Sequence, residues 1–451
     1  MAKQIYYQND GYQQAFASLA DGLPGVPELR ARAFADFMAT GFPTQKVEEW
    51  KYSGLSALAN AVFVPVKTTD RHAEAESFLA QSVPLEGAVQ LVFVDGHFNT
   101  ALSQAGDLED GVTLTSLASA LAAGDNRLEG RLKTNEQAQG RGLRSVNAAL
   151  MTDGFVLEVA ADTTVSRPIQ VTYISTSAVV GHSTQLRNVI SLGKNSQLRL
   201  LEQHIGVDTG TYWSNFVTDC TLGEDAVLER TVLQEEGAKA VYVAEGDVQL
   251  AARASLKAFW LTLGGQLSRQ SQFLTFNGME AEVALYGAYL GAEGQSHDML
   301  TVMDHKVGHC NSDQIFRGVL DKGAKAAFQG RVIVAPDAQL TNANQANNNM
   351  LLDRSAEVNS KPELKIYADD VKCSHGSTVG ELDKDMLFYL RSRGLDADAA
   401  EQLLVEAFIA EVLEEGLDAE LLDFMQLRVR SWMASHTASP LTAEADGKER
   451  T

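Results

Sequence analysis

Cys373 and His375 are the residues whose types and spacing are best suited to chemistry. A thiolate sulfur and an imidazole nitrogen both bind soft and borderline metal ions. Side chains two residues apart in a strand point to the same face, so the pair could serve one ligand if the segment is a strand. Two ligands do not complete a four-coordinate site, and a metal role therefore requires donors from elsewhere or from a partner. Taken alone, a C-x-H pattern favours structural packing, because free cysteine is commonly buried.

The sequence after this pair predicts a helix. Asp383 is a suitable N-cap, and Gly394 is a suitable end. Met386, Leu387 and Leu390 lie between them at helical spacing. The thiol and the imidazole therefore lie where strand-like sequence gives way to helices, and we expect the function at this junction.

A second group of possible metal ligands comprises His297, Asp304, His305, His309 and Cys310. Residues four apart share a face only in a helix, and nothing in this segment establishes a helix. Hydrogen-bonded histidines in turns and at strand ends are the favoured interpretation, and a metal site is the alternative.

Three other features of the sequence bear on possible sites. Asp369 and Asp370 could suggest the carboxylate pair of a glycoside hydrolase, but adjacent strand residues point to opposite faces, so a turn is favoured. The amide-rich segment 344–349 fits a ladder inside a solenoid or a polar turn, and both are structural roles. The sequence contains no G-x-x-x-x-G-K-[ST] phosphate loop, so an associated ATPase activity would belong to another chain.

The composition is that of an acidic globular protein. The 451 residues carry a formal net charge of −22, which argues against a general nucleic-acid or anionic-membrane surface. Cys220, Cys310 and Cys373 are scattered and fit a reducing compartment better than a disulfide framework. No segment resembles the apolar core of a secretory signal or approaches the length of a membrane span. We therefore expect a cytoplasmic protein.

The sequence predicts four regions. Residues 1–146 form a helical and mixed α/β region, with helices at 12–19 and from Pro27 to before Gly41, a strand and tight turn at 89–98, and a linker at about 122–142. Residues 147–381 form a β-rich core. Residues 382–435 are helical, and residues 436–451 are polar and expected to be disordered.

The β-rich core contains an imperfect repeat. A polar residue, a small residue, any residue and an apolar residue open many of the short alternating runs, starting at 195, 225, 253, 280, 337 and 355. The first three intervals are 30, 28 and 27 residues, the fourth is 57, and the last is 18, nearer to part of a coil. Short strands at this spacing are typical of a β-solenoid, which we favour over a β-sandwich because more than 200 residues without helix is long for one sandwich.

The C-terminal helices are predicted from capping and periodicity. Asp398 and Glu401 have the spacing of a capping box, and a second helix begins at Asp418. The first helix carries an apolar stripe that is most simply core, although part of it could dock a partner. The stripe comprises Leu403, Leu404, Ala407 and Phe408, and the second helix carries Leu421, Leu422 and Met425.

These motifs together resemble the SufB/SufD family of the SUF iron–sulfur cluster assembly system. At 373–375 the chain has Cys-Ser-His where SufB-type members have Glu-His-Glu, and SufB places a cysteine near 345–347; both differences point to the SufD branch. One departure, Gly-His-Cys at 308–310 where Pro-His-Thr is expected, leaves any role of Cys310 in doubt. The matching segments are 41–53, 92–98, 201–206, 304–320, 338–352 and 361–394.

The resemblance implies a right-handed parallel β-helix core between an N-terminal α/β region and a C-terminal helical domain. It implies a non-catalytic scaffold that pairs with a SufB-like paralogue through the β-helix and binds a SufC-like ABC-type ATPase through the C-terminal helices. It implies that His375, with Cys373 beside it, faces a partner cysteine where a transient iron–sulfur cluster or iron is bound, with none expected in the isolated chain. A homodimer in isolation, or a homodimeric structural protein, and a carbohydrate-active β-helix enzyme are the alternatives.

Overall fold

The computed structural model describes residues 6–436 except 69, 84, 105, 126–127, 129, 133 and 135–140. Helices and short strands dominate the first 150 residues, as predicted. The α-helices there are α1 Gly11–Leu19, α2 Pro27–Thr40, α3 Ser56–Ala59, α4 His72–Leu79, α5 Leu117–Ala122 and α6 Gly142–Leu150. The strands there are β1 Tyr6–Tyr7, β2 Phe42–Pro43, β3 Val89–Val94, β4 His97–Phe98 and β5 Val112–Ser116.

The chain from Phe155 to Glu381 is a parallel β-solenoid. Its strands are β6 Phe155–Val159, β7 Ile169–Ser175, β8 Ser183–Leu192, β9 Gln197–Gly206, β10 Tyr212–Leu222, β11 Val227–Glu235, β12 Ala240–Leu250, β13 Ser255–Thr262, β14 Leu267–Phe276, β15 Glu282–Gly291, β16 Ser296–His305, β17 Asn311–Leu320, β18 Lys325–Val334, β19 Asn342–Leu351, β20 Glu357–Ile366 and β21 Lys372–Glu381.

Successive strands alternate between two sheets. The even-numbered strands from β6 to β20 form one sheet, which β5 extends, and the odd-numbered strands from β7 to β21 form the other, which β3 and β4 extend. Each coil therefore contributes one strand to each sheet, and side chains from both sheets fill a continuous lumen. Aliphatic and aromatic side chains dominate that lumen. The predicted solenoid is confirmed, and the sandwich alternative is wrong because the strands pair in parallel across coils.

The repeat seen in the sequence marks one column of turns. Asn195, Asp225, Arg253 and Glu280, the first residues of four predicted repeats, all have a left-handed backbone with φ between 53° and 61°. The next two members of the column are His309 and Leu340, which do not fit the sequence pattern. The match at 355 belongs to the other sheet, because it precedes β20, and this explains the short interval of 18.

The segment 41–53 fastens the N-terminal region to the outer face of the even-numbered sheet. The Arg269 guanidinium lies 4.0 Å from the Trp50 ring centre, donates to the Glu49 carbonyl at 2.7 Å and pairs with buried Asp298. One coil beyond Asp298, Gln329 also donates to the Glu49 carbonyl, at 3.1 Å. Lys361 on β20 pairs with Glu48. These contacts span four coils, from β14 to β20.

Three helices follow the solenoid: α7 Lys384–Ser392, α8 Ala397–Gly416 and α9 Ala419–His436. Helix α8 packs on the outer face of the odd-numbered sheet, where the Arg317 guanidinium donates to the Phe408 carbonyl at 2.7 Å. Helix α9 packs against α8, and Arg430 pairs with Glu406 at 3.1 Å. Within the described residues, no helix is both long and apolar enough to cross a membrane.

Two details of the predicted C-terminal helices are wrong. The N-cap of α8 is Asp396, whose carboxylate accepts from the Ala399 N–H at 2.8 Å, so Asp398 lies inside the first turn. The predicted stripe is not the buried face, since Leu403 and Ala407 are exposed. The buried face comprises Ala400, Val405, Ile409, Val412, Leu413 and Gly416.

Ten of the 21 residues of the predicted linker at 122–142 lie outside the described residues, but Leu128 and Leu132 are buried in a cluster with Leu29. The expected disordered tail also lies outside them. The domain boundaries at 146, 381 and 435 stay predictions.

Candidate functional site at the open end of the solenoid

Strand β21 places Cys373 and His375 on one face, as predicted for a strand. Cys373 pairs in register with Ala343 of β19, and His375 pairs with Gln345. Ala343 and Gln345 are buried in the lumen, so the two β21 side chains stand in the lumen rows of the last coil. Within the described part of the chain, no further coil covers them, because β20 and β21 end their sheets.

The two side chains differ in environment. Cys373 is half-buried and packs against the apolar lumen, and this burial raises the pKa of its thiol. His375 is exposed. The thiol is therefore disfavoured as a thiolate in the isolated chain, whereas the imidazole is accessible from the open end.

The structure brings these two ligands together but adds no third. Among the described residues, no group of three or more His, Cys, Asp and Glu side chains is arranged to hold a metal ion. A four-coordinate iron or cluster site at this end therefore needs donors from another chain.

The edge of β21 offers backbone groups to such a chain. The Lys372 N–H donates to the Thr341 carbonyl at 2.9 Å, so Lys372 pairs with β19. In a parallel ladder, alternate residues bond to opposite neighbours. The N–H and C=O groups of Cys373, His375, Ser377 and Val379 therefore point to the open edge, which is a template for strand pairing.

An exposed helix adjoins this edge. Asp383 caps α7 as predicted, because its carboxylate accepts from the backbone N–H of Asp385 and Met386. None of the α7 residues is buried, and Phe388 is 74% exposed. Met386 and Tyr389 are also exposed, so the apolar surface of this helix is larger than that of a single exposed residue.

The second predicted group of ligands does not assemble. His297 and His305 point into the lumen, where His297 contacts the Leu290 carbonyl at 3.0 Å and His305 contacts the Ser312 hydroxyl at 3.0 Å. Burial lowers the pKa of both imidazoles to about 4. His309 lies in the left-handed turn column instead. The favoured interpretation, hydrogen-bonded histidines of the fold, is confirmed.

The aspartate pair and the amide-rich segment are also structural. Asp370 lies in a turn, where its carbonyl accepts from the Leu340 N–H at 2.6 Å. The amide segment is strand β19. Its inward residues Asn347 and Asn349 bond to each other at 2.9 Å, and Asn347 donates to the Tyr289 hydroxyl at 2.9 Å.

The sequence reasoning missed a polar group deep in the lumen. Arg230 pairs with Glu202 at 2.6 Å, and the His204 ring contacts the rings of Tyr173 and Phe216. Burial lowers the pKa of His204 to about 3, so this imidazole is neutral. The sequence did carry a signal for this polar group. Arg230 is a charged residue at an inward position of the alternating run 227–233.

Two family models together match most of this chain. Residues 3–171 match the SufBD protein N-terminal region, and residues 173–408 match the SUF system FeS cluster assembly, SufBD core domain. The chain belongs to the SufBD family of the SUF iron–sulfur cluster assembly system. The resemblance drawn from the sequence is thereby confirmed.

Relatives agree with this assignment. The chain is 30% identical over 383 residues to an iron–sulfur cluster assembly SufBD family protein of Synechocystis sp., covering 83% of each chain. It is 28% identical over 412 residues to the iron–sulfur cluster assembly protein SufD of Escherichia coli, covering 89% of this chain and 93% of that one. It is 27% identical over 416 residues to the chloroplastic protein ABCI7 of Arabidopsis thaliana, covering 90% and 86%.

Proposed function

We propose that the chain is a non-catalytic scaffold subunit that pairs with a SufB-like paralogue at the open end of its solenoid. The observation that carries the proposal is the coincidence of an unpaired strand edge with two inward-facing metal ligands on the same strand. Strand pairing across the edge would bring the partner's side chains to Cys373 and His375. The partner would then supply the donors needed to hold iron or a nascent iron–sulfur cluster, which is the cargo of this site.

His375 is the principal ligand in this proposal, and Cys373 is the auxiliary one. The exposed imidazole needs no rearrangement to meet a partner. The thiol must lose a proton whose removal is disfavoured by burial, so Cys373 becomes a ligand only when a metal or a partner charge offsets that cost.

The C-terminal helices would bind a SufC-like ABC-type ATPase. Leu403 and Ala407 of α8 and Leu427 of α9 are exposed, so apolar surface remains after the helices have packed on the solenoid. Motion of these helices on ATP binding would reach β21 through α7 and would change the geometry of the open end. The cytoplasmic location expected from the sequence stays a prediction.

The test is co-expression with the paralogue and the ATPase under anaerobic conditions, followed by iron and sulfide analysis of the purified complex. His375→Ala should lower the cluster content by about tenfold or more, and Cys373→Ala should lower it less. His182→Ala, which removes an exposed histidine from a turn outside this end, is the matched control and should leave it unchanged. If the His375→Ala complex holds as much cluster as wild type, the interface role is wrong.

Light scattering separates this proposal from a homodimeric structural protein. The isolated chain can pair with itself through the same edge, but adding the paralogue should replace the homodimer with a heterodimer. A homodimer that persists with excess paralogue would favour the structural alternative.

A further inference from the structure

We infer that Gln345 is a positioning residue that holds the His375 imidazole in one tautomer. Gln345 lies one coil below His375 in the same lumen row, and adjacent parallel strands are about 4.8 Å apart. Its side chain is 3% exposed, yet neither its amide oxygen nor its amide nitrogen has a hydrogen-bond partner among the described residues. Burying an amide without hydrogen-bond partners is unfavourable, so a nearby group must serve it.

The coil below shows why Gln345 lacks a partner. There, Gln314 occupies the same lumen row, and its amide oxygen accepts from the Thr301 hydroxyl of the opposite wall. In the coil of Gln345, the residue in register with Thr301 is Gly330. A Cβ atom placed on Gly330 would lie 2.9 Å from Oε1 of Gln345, so the amide extends into the space that the glycine leaves.

Two side chains lie in register with Gln345: Gln314 in the coil below, whose amide nitrogen is also buried without a partner among the described residues, and His375 in the coil above. In that coil, the residue in register with Gly330 is Pro362, which has no N–H and no polar side chain, and the residue in register with Gln345 is His375. The amide oxygen of Gln345 can therefore accept a hydrogen bond from one ring N–H of His375. The lone pair of the other ring nitrogen then faces the open end.

This arrangement suits a histidine that binds metal. A ligating imidazole donates its second ring N–H to a fixed acceptor, which sets the tautomer and the ring orientation. The inference deepens the proposed function, because it assigns His375 a preset lone pair for the cargo iron.

The test uses the full chain labelled with ¹⁵N-histidine, at a pH well above the ordinary pKa of histidine. The ring resonances of His375 are assigned by their loss in His375→Ala. The wild-type chain should show one tautomer at His375. Gln345→Met, which keeps the side-chain length but removes the acceptor, should show exchange between both tautomers. Gln345→Glu, which restores an acceptor, should return the single-tautomer pattern.

Gln314→Met is the matched control, because it changes the same residue type in the same row one coil deeper. It should leave the His375 resonances unchanged. A mixed tautomer in the wild-type chain, an unchanged pattern in Gln345→Met, or an equal change in Gln314→Met would each overturn the inference.

The outcome separates this inference from the proposed function. If Gln345→Met changes the tautomer while His375→Ala leaves cluster content unchanged, the positioning stands and the interface role falls. If cluster content depends on His375 but the tautomer does not depend on Gln345, the interface role stands and the positioning by Gln345 falls.

Discussion

The two ends of the solenoid share one coil geometry but differ in how they finish. At the N-terminal end, all seven residues of β7 are buried, and the short antiparallel strands β4 and β5 terminate the two sheets. At the C-terminal end, two full-length parallel strands terminate them, and nine of the ten residues of β21 are exposed. A long edge that no described residue covers is a liability in a monomer, so its presence at one end alone supports the proposed partner surface.

The column of left-handed turns also differs between the N-terminal and C-terminal halves of the solenoid. Its first three members, Asp162, Asn195 and Asp225, are residue types that tolerate a left-handed backbone. Three of its later members, Arg253, Glu280 and Leu340, tolerate it less well. The backbone of the C-terminal half is therefore less favourable locally, and its stability depends more on packing and on the clamp formed by segment 41–53.

The largest expected effect on stability comes from breaking the clamp, which is the set of contacts between segment 41–53 and the even-numbered sheet. Arg269→Met would leave the buried Asp298 carboxylate without its cation, and the free energy of unfolding should fall by about 3–5 kcal/mol. Urea unfolding measures it. Lys361→Met, which removes an exposed ion pair of the same clamp, should change the stability by less than about 1 kcal/mol. Equal losses in both variants would contradict the buried pair as the anchor.

Acid should lower the free energy of unfolding through the histidines that are buried in the lumen. The folded chain keeps His204, His297 and His305 neutral, with pKa values of about 3, 4 and 4, whereas the unfolded chain protonates them near pH 6.5. Because the unfolded state binds more protons below pH 6.5, stability falls as the pH falls. Each histidine should cost about 2 kcal/mol between pH 7 and pH 5.

Urea unfolding at the two pH values measures this slope. His204→Gln should reduce the slope, because glutamine does not titrate. His182→Ala, which removes an exposed histidine, should leave the slope unchanged. A slope in His204→Gln equal to that of the wild type would assign the effect to other groups.

The open edge can be blocked without loss of an internal hydrogen bond. Ser377→Pro removes an N–H that points away from β19, so the free energy of unfolding should change little. Affinity for the SufB-like paralogue should fall by at least about tenfold, or about 1.4 kcal/mol, in a calorimetric titration. Ser377→Ala keeps the N–H and should bind like wild type. Unchanged binding by the proline variant would show that this edge is not the interface.

The smallest expected effect concerns the turn column. Leu340 has φ of 59° and is 49% exposed, so Leu340→Asn should stabilise the chain by about 0.5–1 kcal/mol. Thermal unfolding would detect it. Leu340→Ala keeps the unfavourable backbone and should give no gain. A gain in both variants would mean that the exposed leucine side chain, and not the backbone, was the cause.

The sequence predicted the repeat where polar turn residues mark it, at 195, 225 and 253. It failed at His309 and Leu340, because packing of neighbouring coils imposes a left-handed turn that these residue types do not signal. The face of α8 was assigned wrongly because apolar side chains lie on several sides of that helix, and only contact with the sheet selects Val405 and Ile409. The placement of Cys373 and His375 on one face was predictable from strand alternation. That no described coil covers them was not, because it depends on which strands end the two sheets.

The clamp also has a consequence for synthesis. Glu48 leaves the ribosome early, but its partner Lys361 is 313 residues further along the chain. At about 5–20 residues per second, the segment waits on the order of 15–60 s for its docking surface. During that interval the segment lacks its contacts with the last coils, so newly made chains are expected to depend on chaperones until those coils emerge.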